Sequence, residues 1–318
     1  MQRRLKFEII ALLLWISSGS SVFAAWKVAI FDYDDRLHAP NTIAKYIETT
    51  LLSAEDQLTV EQYSGKANEQ IAVETLKRLD QAGYDLIITI TSDALILAHH
   101  FLKNTPTLYT NVNNPLFLGV MTLDAPGRNM SGASYYVPIA DQIAFFQQIQ
   151  PPLKRLGFLF DEKSRSSKTE IAESRAVCRA NDLEYAIRLI AKAEELPAAA
   201  RDLIAEGVDA IIVTSSEKIY TNLSLFQAIC DNANIPIYSY HKTAVQQGAI
   251  ASLTSDYYRM AEELIVPMAL QVLREGVSPG AMPVAFLENN LIIINQTQAQ
   301  KLGLTISDEI LQQATAIF

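Results

Sequence analysis

Polar residues that could bind a small molecule follow several of the predicted strands. Asp34 follows the first strand, Ser92 the third and Asn113 the fourth, and the second half of the chain offers a comparable set. In parallel α/β sheets, ligands bind beyond the carboxyl ends of the strands, where loops and helix N-termini converge. The candidate ligand-binding residues predicted on this basis are Asp34, Ser92, Asn113, Asn114, Tyr135, Ser167, Ser216, Glu217, Tyr240 and Asp256.

Two of these serines are suited to an anionic group. Ser92 and Ser216 occupy equivalent positions of an internal repeat, each at the start of a predicted helix. Free N–H groups and the positive end of the helix dipole favour an anion there, such as a carboxylate. A serine hydroxyl at this position also caps its helix, which is worth about 1 kcal/mol. Capping is therefore the structural alternative, and it is compatible with ligand contact.

A ligand amine would need an acid in the same cleft, and Asp34, Glu217 and Asp256 are the candidates. Each has a structural alternative. Asp34 lies in an acid-rich loop that solvent could cover, Glu217 could complement a helix dipole, and Asp256 could cap the helix that follows it. Tyr135 and Tyr240 lie near the predicted hinge, where they could stack on a ligand or separate the lobes.

Catalytic and metal-binding motifs do not occur in the sequence. There is no Gly-x-Ser-x-Gly elbow, no phosphate-binding loop and no Gly-x-Gly-x-x-Gly after a strand. His99 and His100 are adjacent on a predicted helix and cannot share one metal-binding face, while His38 and His241 have no second ligand at helical spacing. We therefore expect a binding protein that is not an enzyme and that has no cofactor, catalytic residue or metal site.

The first 24 residues have the features of a secretory signal peptide. Arg3, Arg4 and Lys6 precede an apolar run over residues 9–16. This run is too short to cross a bilayer, which needs roughly 20 such residues. Small residues then predict cleavage after Ala24, and hence a periplasmic protein. A buried N-terminal helix is the alternative, but the basic start and the Ser-Gly-Ser-Ser run argue against it.

The mature chain is acidic and has two cysteines. Removal of residues 1–24 takes away three basic residues and one acid, which moves the formal charge from −9 to −11. This balance disfavours nucleic acid and anionic membrane surfaces as partners. An oxidising compartment leaves a disulfide open. Cys178 and Cys230, however, lie on apolar faces of predicted helices, which favours two separate buried thiols.

Strand-like runs alternate with helical patterns from Trp26 onward, which is typical of βαβ units in a parallel sheet. Residues 84–93 match residues 208–217 without a gap, so the chain contains two copies of one supersecondary unit. The predicted strands fall in two series, near residues 27–33, 57–63, 84–91 and 106–112, and near 155–160, 184–190, 208–214 and 236–240.

The chain continues past the second series, through a long predicted helix near residues 257–275 and a closing helix near 307–317. This surplus suggests that it returns to the first lobe. We expect a first lobe over residues 25–133 plus about 254–286. The second lobe is then expected over residues 134–253 plus about 287–318.

Two regions resemble one known family. Val112–Pro115, followed by Pro126–Ser134, resembles the "TDP … PGGN-[IV]-TG-[VT]-S" signature of the ABC-transporter substrate-binding proteins of tryptophan and tyrosine type. The later segments Asp256–Tyr258, 272–276 and 294–306 are similar to the "DYY … VLKG … IN … A..LGL.IP" ending of that family. The resemblance covers most of the mature chain in the same order.

Four positions depart from the family pattern. Asn114 replaces an aspartate, Arg128 replaces a glycine, Ser166 replaces an asparagine, and Ser307 replaces a proline. The changes at 114 and 166 remove an acid and an amide from loops that would face the cleft. The resemblance therefore implies the fold and the transport role, and it does not determine the ligand.

The resemblance implies a type I periplasmic-binding-protein fold: α/β, with two Rossmann-like, doubly wound parallel-sheet lobes joined by a three-crossing hinge. We expect a monomer that binds a small polar organic ligand, such as an amino acid or aromatic zwitterion, and delivers it to the permease of an ABC importer. One alternative is a sensory module that presents its ligand state to a membrane receptor kinase, and another is an envelope enzyme. The expected ligand contacts are Ser92, Asn113 and Asn114 on one lobe, and Ser167, Ser216, Glu217 and Tyr240 on the other.

Overall fold

A computed structural model of the chain describes residues 25–34 and 43–318. The signal peptide predicted over residues 1–24 lies outside these residues. Within the part that the structure describes, no helix is both long enough and apolar enough to cross a membrane. Two lobes are present, and each is built on its own β-sheet.

The first lobe contains a five-stranded sheet in the order β2-β1-β3-β4-β5, and every pairing is parallel. Apolar side chains on its two faces belong to two separate core clusters, which explains why strands such as β3 are buried along their whole length. Its elements in chain order are β1 (Trp26–Asp32), α1 (Ile43–Ala54), β2 (Leu58–Ser64), α2 (Glu69–Leu79), β3 (Leu86–Ile90), α3 (Ser92–Phe101), β4 (Thr107–Val112) and β5 (Met130–Ser134).

The second lobe contains a seven-stranded sheet in the order β12-β11-β10-β9-β8-β6-β7. Its first elements are α4 (Ile139–Ile149), β6 (Arg155–Asp161), α5 (Arg165–Ala180), β7 (Glu184–Ile190), α6 (Leu196–Ala205), β8 (Ala210–Val213), α7 (Glu217–Tyr220), α8 (Gln227–Asn232), β9 (Ile237–Ser239), α9 (Lys242–Gln246) and β10 (Ala251–Thr254). Helices α10 (Tyr257–Met260) and α11 (Val266–Glu275) follow in the chain and pack in the first lobe. The second lobe is completed by β11 (Leu291–Ile294), α12 (Gln296–Lys301), α13 (Asp308–Gln313) and β12 (Ala316–Ile317). The predicted α/β architecture of two parallel-sheet lobes is confirmed.

The C-terminal end differs from the sequence prediction. The closing helix ends at Gln313, and not at residue 317, because the last residues join the sheet instead. The Thr315 N–H donates to the Ile292 carbonyl at 2.7 Å, and the Phe318 N–H donates to the Ile294 carbonyl at 2.9 Å. Strand β11 runs antiparallel to β10, so this edge of the sheet is mixed and not purely parallel.

The polypeptide passes between the lobes three times in the described chain. It crosses after β5, after β10 and before β11. Between the second and third crossings, Met260 and Ala269 pack in the core of the first lobe. Ala285 then pairs with β5, where its N–H donates to the Gly132 carbonyl at 2.8 Å. Beyond the third crossing, helices α12 and α13 pack in the core of the second lobe.

The helix predicted over residues 257–275 contains one irregular turn. Residues Ala261–Ile265 form a π-helical turn between α10 and α11. Pro267 lies two residues after this turn and has no N–H to donate to the carbonyl four residues earlier. A π turn widens the helix where that bond is missing, so the helix continues past the proline.

Two aspartates at matching positions of the internal repeat have the same structural role. Asp85 precedes β3, and its Oδ2 accepts from the Lys27 N–H at 2.7 Å. Asp209 precedes β8 at the matching repeat position, and its Oδ2 accepts from the Arg155 N–H at 2.7 Å. Each carboxylate therefore joins the start of one strand to the start of its neighbour in the sheet. The two lobes share this connection at the bottom of their sheets.

Asp80 fixes the loop between α3 and β4. Its carboxylate accepts from the N–H groups of Lys103 at 3.0 Å, Asn104 at 2.9 Å and Thr105 at 3.0 Å. Burial opposes ionisation, but the hydrogen bonds from Thr105, Asn104 and Lys103 outweigh it and hold the pKa of Asp80 below its ordinary value. The stability that these bonds give is present above the unfolded-state pKa and is lost as the pH falls through the folded-state pKa.

We expect Asp80→Asn to lower the free energy of unfolding by about 2 kcal/mol at pH 7, because charge-assisted bonds to three N–H groups are weakened. The loss should shrink as the pH falls below about 4, because the carboxyl of the unfolded chain then becomes protonated and that of the folded protein follows at lower pH. Urea denaturation at both pH values measures this. Glu74→Gln, on the exposed face of the preceding helix α2, is the control and should change stability by less than about 0.5 kcal/mol. An equal loss at pH 3 and pH 7 would contradict the electrostatic explanation.

Candidate functional site

The carboxyl ends of the strands in both lobes meet at a cleft beside the hinge. A small cavity of about 20 Å³ lies there, with room for about one water-sized group. Both lobes and the connecting segments contribute to its wall. Its polar lining residues are Asn113, Tyr135, Tyr136, Gln142, Glu170, Ser215, Tyr240 and Thr254.

Glu170, on helix α5, is the buried acid of this site and is 4% exposed. Its Oε1 accepts from Asn113 Nδ2 at 2.7 Å and from the Ser215 hydroxyl. Asn113 belongs to the first lobe, whereas Glu170 and Ser215 belong to the second, so this hydrogen bond spans the cleft. Burial raises the pKa of Glu170 to about 7, against the opposing effect of the bonds from Ser215 and Asn113.

Asn113 is held by its neighbours. Its N–H donates to Ser92 Oγ at 3.0 Å, and its side-chain Oδ1 accepts from the Asn114 N–H at 2.7 Å. Asn114 in turn caps a short 3₁₀ turn, where its Oδ1 accepts from the Leu116 N–H. Both asparagines are buried, and the amide Nδ2 of Asn113 is aimed across the cleft at Glu170. These hydrogen bonds therefore fix the position of the Asn113 amide without the help of a ligand.

The two repeat-related serines do not cap their helices. Thr91 caps α3, while the Ser92 hydroxyl supports the loop that carries Asn113. Ser216 precedes α7, which is only four residues long, and its hydroxyl donates to Asp161 Oδ2 at 3.1 Å. The capping alternative is therefore wrong for both hydroxyls, because each has a partner outside its own helix.

Asp161 also forms an ion pair with a lysine of the second lobe. Lys218 Nζ lies 2.6 Å from Asp161 Oδ1, so its charge is paired at the end of β6. Asp34 and Glu217 come from opposite lobes, and they interact. Burial first, and then the charge of Asp34, raise the pKa of Glu217 above its ordinary value. The site therefore has more acidic charge than basic charge among these residues.

Four aromatic rings extend from the second lobe to the hinge. Tyr220 and His241 stack with centroids 3.9 Å apart, His241 lies 6.1 Å from Tyr257, and Tyr257 lies 5.4 Å from Tyr135. We call these four residues the aromatic row. Burial, with Lys242 as the second cause, lowers the pKa of His241 to about 4, so its ring is neutral at pH 7. The row offers flat apolar surface beside the Glu170 site.

Asp256 has a structural role. It caps α10, where its Oδ1 accepts from the Tyr258 N–H at 2.9 Å and from the Arg259 N–H at 3.1 Å. This is the alternative that the sequence had left open for this acid. Ser167 is buried on α5, one turn before Glu170, and the Tyr240 hydroxyl is buried at the cavity wall.

Several site residues were not predicted from the sequence. Glu170 is the most important of these, and Gln142 and Tyr220 are two others. One signal could have identified Glu170. Ser167, Glu170 and Ser174 follow at helical spacing, so three polar residues share one face of α5, and all three are buried. A polar stripe on the buried face of a helix indicates a site.

Two buried oxygen atoms at the cavity have unused hydrogen-bonding capacity. Oε1 of Gln142 has no partner among the described residues, and the hydroxyl of Tyr240 interacts with the Ser174 side chain; Gln142 and Tyr240 are 5% and 8% exposed. The other end of the Gln142 amide is used, because its Nε2 donates to the Val137 carbonyl at 3.0 Å. Buried polar atoms in folded proteins nearly always have a partner, so acceptors of this kind beside a cavity mark a place where a water or a ligand group can bind.

Known proteins resemble the chain in sequence and in fold. The family model described as ABC transporter substrate binding protein matches residues 32–318. A tyrosine-binding protein of Clostridioides difficile is 27% identical over 221 residues, which cover 69% of this chain and 63% of that protein. The match thus spans less than two thirds of the relative. The resemblance read from the sequence motifs is confirmed.

Solved structures share the fold. A Streptococcus pneumoniae ABC domain in complex with L-Trp is 23% identical, with a TM-score of 0.77 over 92% of this chain and 99% of that one. An open, ligand-free substrate-binding protein with adhesive properties from Clostridium difficile is 20% identical, with a TM-score of 0.73 over 92% and 98% of the two chains.

Proposed function

Because the chain belongs to the family of ABC transporter substrate-binding proteins, we propose that it captures a small polar organic solute between its lobes and delivers it to an ABC importer from the periplasm. It is a binding protein and not an enzyme. The observation that carries the proposal is the hydrogen bond between Asn113 and Glu170, which joins the two lobes at the carboxyl ends of their strands.

An amino acid or a related compound with an aromatic body is the proposed solute. The aromatic row provides flat surface for a ring, and the acid, amide and hydroxyl groups around Glu170 provide polar contacts. A relative is a tyrosine-binding protein, and a protein of the same fold carries L-Trp. These similarities support the proposed class of ligand. The residues proposed to contact the ligand are identified from this chain alone.

Native mass spectrometry of the protein, after incubation in a metabolite extract, tests the proposal. A retained solute should appear as a discrete mass difference. In a thermal-shift assay, the same solute should raise the melting temperature increasingly as its concentration exceeds the dissociation constant. A protein that retains no solute and shows no shift with any extract fraction would contradict the binding function. Uptake of that solute by vesicles that contain the importer tests delivery.

We expect Asn113→Ala to shift the protein toward a more open form. Glu170 would keep a buried acceptor without its partner in the first lobe, which costs the closed form about 1–3 kcal/mol. Small-angle X-ray scattering should then give a larger radius of gyration than for the wild type. Asn181→Ala, at the exposed C-terminal end of α5, should leave the radius unchanged. Equal radii for Asn113→Ala and the wild type would show that this bond does not hold the lobes together.

A further inference from the structure

We propose that the cavity beside Glu170 is a subsite for a protonated amine, and that the solute is selected through its cationic nitrogen. This inference rests on the proposed function. It assigns the counter-charge to Glu170 and the remaining acceptors to Gln142 and Tyr240. A carboxylate on the solute is then not required for binding.

The carboxylate of Glu170 is held in place. The Asn113 amide at 2.7 Å, the Ser215 hydroxyl and the Ser215 N–H all bind it, and it is 4% exposed. Such a group cannot turn away to solvent when a solute enters. An ion pair formed in this buried place is far stronger than one at a surface, because little water screens it.

The charges around the cavity favour a cation. Among the described residues that line it, there is no lysine, arginine or histidine. Nearby on the same helix, Glu173 adds a second carboxylate, bound by the Tyr136 hydroxyl and the Ile139 N–H. Lys218 is paired with Asp161, and the pKa of His241 keeps its ring neutral at pH 7. Lys242, next to His241, contributes a positive charge near the aromatic row.

Two further side chains that line this same cavity carry buried oxygen atoms, and the Tyr240 hydroxyl can accept a hydrogen bond while it interacts with Ser174. Oε1 of Gln142 can only accept a hydrogen bond, and the Tyr240 hydroxyl can accept one. An alkylammonium group has three N–H donors and no acceptor. Together with the Glu170 carboxylate, the cavity therefore offers three oxygen acceptors, and its volume of about 20 Å³ fits one group of this size.

The position of Tyr135 indicates where the rest of the solute would lie. Tyr135 lines the cavity and also ends the aromatic row, with Tyr257 5.4 Å away. An amine held at Glu170 would place its substituent against these rings. Ring faces attract cations as well as apolar groups, so both ends of an aromatic amine suit this surface. The predicted solute class is therefore primary amines with an aromatic or apolar body, including amino acids.

Two matched sets of compounds test the inference by calorimetry: tyrosine, tyramine and 3-(4-hydroxyphenyl)propionate, and tryptophan, tryptamine and indole-3-propionate. The amino acid and the amine of a set should bind, and the deaminated acid should not. Glu170→Gln should weaken amine binding by about 30-fold or more, as expected for a buried ion pair. Tyr240→Phe removes only the hydroxyl and should weaken amine binding by about tenfold. Glu263→Gln, at an exposed ion pair on the first lobe, is the control.

Each outcome is decisive. Binding of the deaminated acid as tightly as the amine overturns the amine subsite, and so does unchanged amine affinity in Tyr240→Phe, a variant that should fold like the wild type. If none of the six compounds binds, the solute retained from a metabolite extract is identified. A retained solute without a basic nitrogen overturns this inference and leaves the binding function intact. Failure to retain any solute contradicts the binding function itself.

Discussion

Replacing Gly132 with alanine is expected to lower the free energy of unfolding by at least about 4 kcal/mol, a loss that only a few mechanisms produce. Gly132 lies on β5, where the neighbouring backbone of β4 passes unusually close. A Cβ atom there would lie 2.0 Å from the Tyr109 carbonyl oxygen and 2.6 Å from the Tyr109 nitrogen. The backbones of β4 and β5 would have to move apart.

The opposite side of β5 offers no space for relief. The Gly132 carbonyl accepts from the Ala285 N–H, so a displaced strand would lose its partner in the returning segment as well. Such a loss is a large part of the 5–15 kcal/mol that stabilises a typical protein. We therefore expect little folded Gly132→Ala protein, measured as the yield of monomer and as the midpoint of urea unfolding.

Gly157→Ala is the matched control. Gly157 is also a strand glycine, on β6, but a Cβ there would meet side-chain atoms of Leu203 at 3.1 Å and Val208 at 3.2 Å. Flexible side chains can move by a few tenths of an ångström, so the cost should stay near 1 kcal/mol. Equal stability losses for the two variants would show that the backbone contact at Gly132 is not the cause.

The second large effect is a pH-dependent gain in stability for Glu170→Gln in the absence of a solute. Burial raises the folded-state pKa of Glu170 from 4.5 to about 7. A raised pKa gives stability that is fully present below the unfolded-state value and is lost as the pH rises through the folded-state value. For this difference in pKa, the loss is ~3 kcal/mol by pH 8.

Glutamine avoids this loss. Its amide oxygen still accepts from Asn113 and Ser215, and it carries no charge at any pH. Urea unfolding should give Glu170→Gln a free energy of unfolding ~3 kcal/mol higher than that of the wild type at pH 8, and this difference should decrease toward pH 5. Glu263→Gln is the control, because Glu263 is exposed and its bond to Arg259 lowers its pKa, whereas burial raises that of Glu170. A gap that does not change with pH would contradict the buried-charge explanation.

The two results with Glu170→Gln have opposite signs. The same substitution is expected to stabilise the empty protein at pH 8 and to weaken its binding of amines. A buried acid that costs stability is retained where binding requires it. Acidification below about pH 7 should weaken amine binding for the same reason, because the carboxyl becomes neutral.

The fold could be predicted from the sequence because its cause is local and repeated. Central strands such as β3 and β8 are short apolar runs, and the match between residues 84–93 and 208–217 reflects the aspartates that join neighbouring strands in both lobes. The C-terminal strand was missed because Ala316–Ile317 is too short to show a period. Its pairing with β11 depends on a contact that is distant in sequence.

The site was predicted only in part. Asn113 and Asn114 are adjacent and of one type, yet one reaches across the cleft and the other caps a turn. Glu170 lies in the middle of a helix, away from the strand ends where ligand contacts were expected. Its role follows from how the two lobes meet, and the pairing of Tyr220 with His241 does too. Such contacts are set by packing between segments, which a single sequence does not show.

The three crossings of the chain affect when the protein can fold. The first lobe needs Met260, Ala269 and Ala285 to complete its core and its sheet edge, and the second needs residues 291–317. Neither lobe is therefore complete until nearly all of the polypeptide has emerged from the ribosome. Contacts between distant segments also slow folding. This delay fits the proposed export, because an exported chain passes through a translocation channel before it becomes compact.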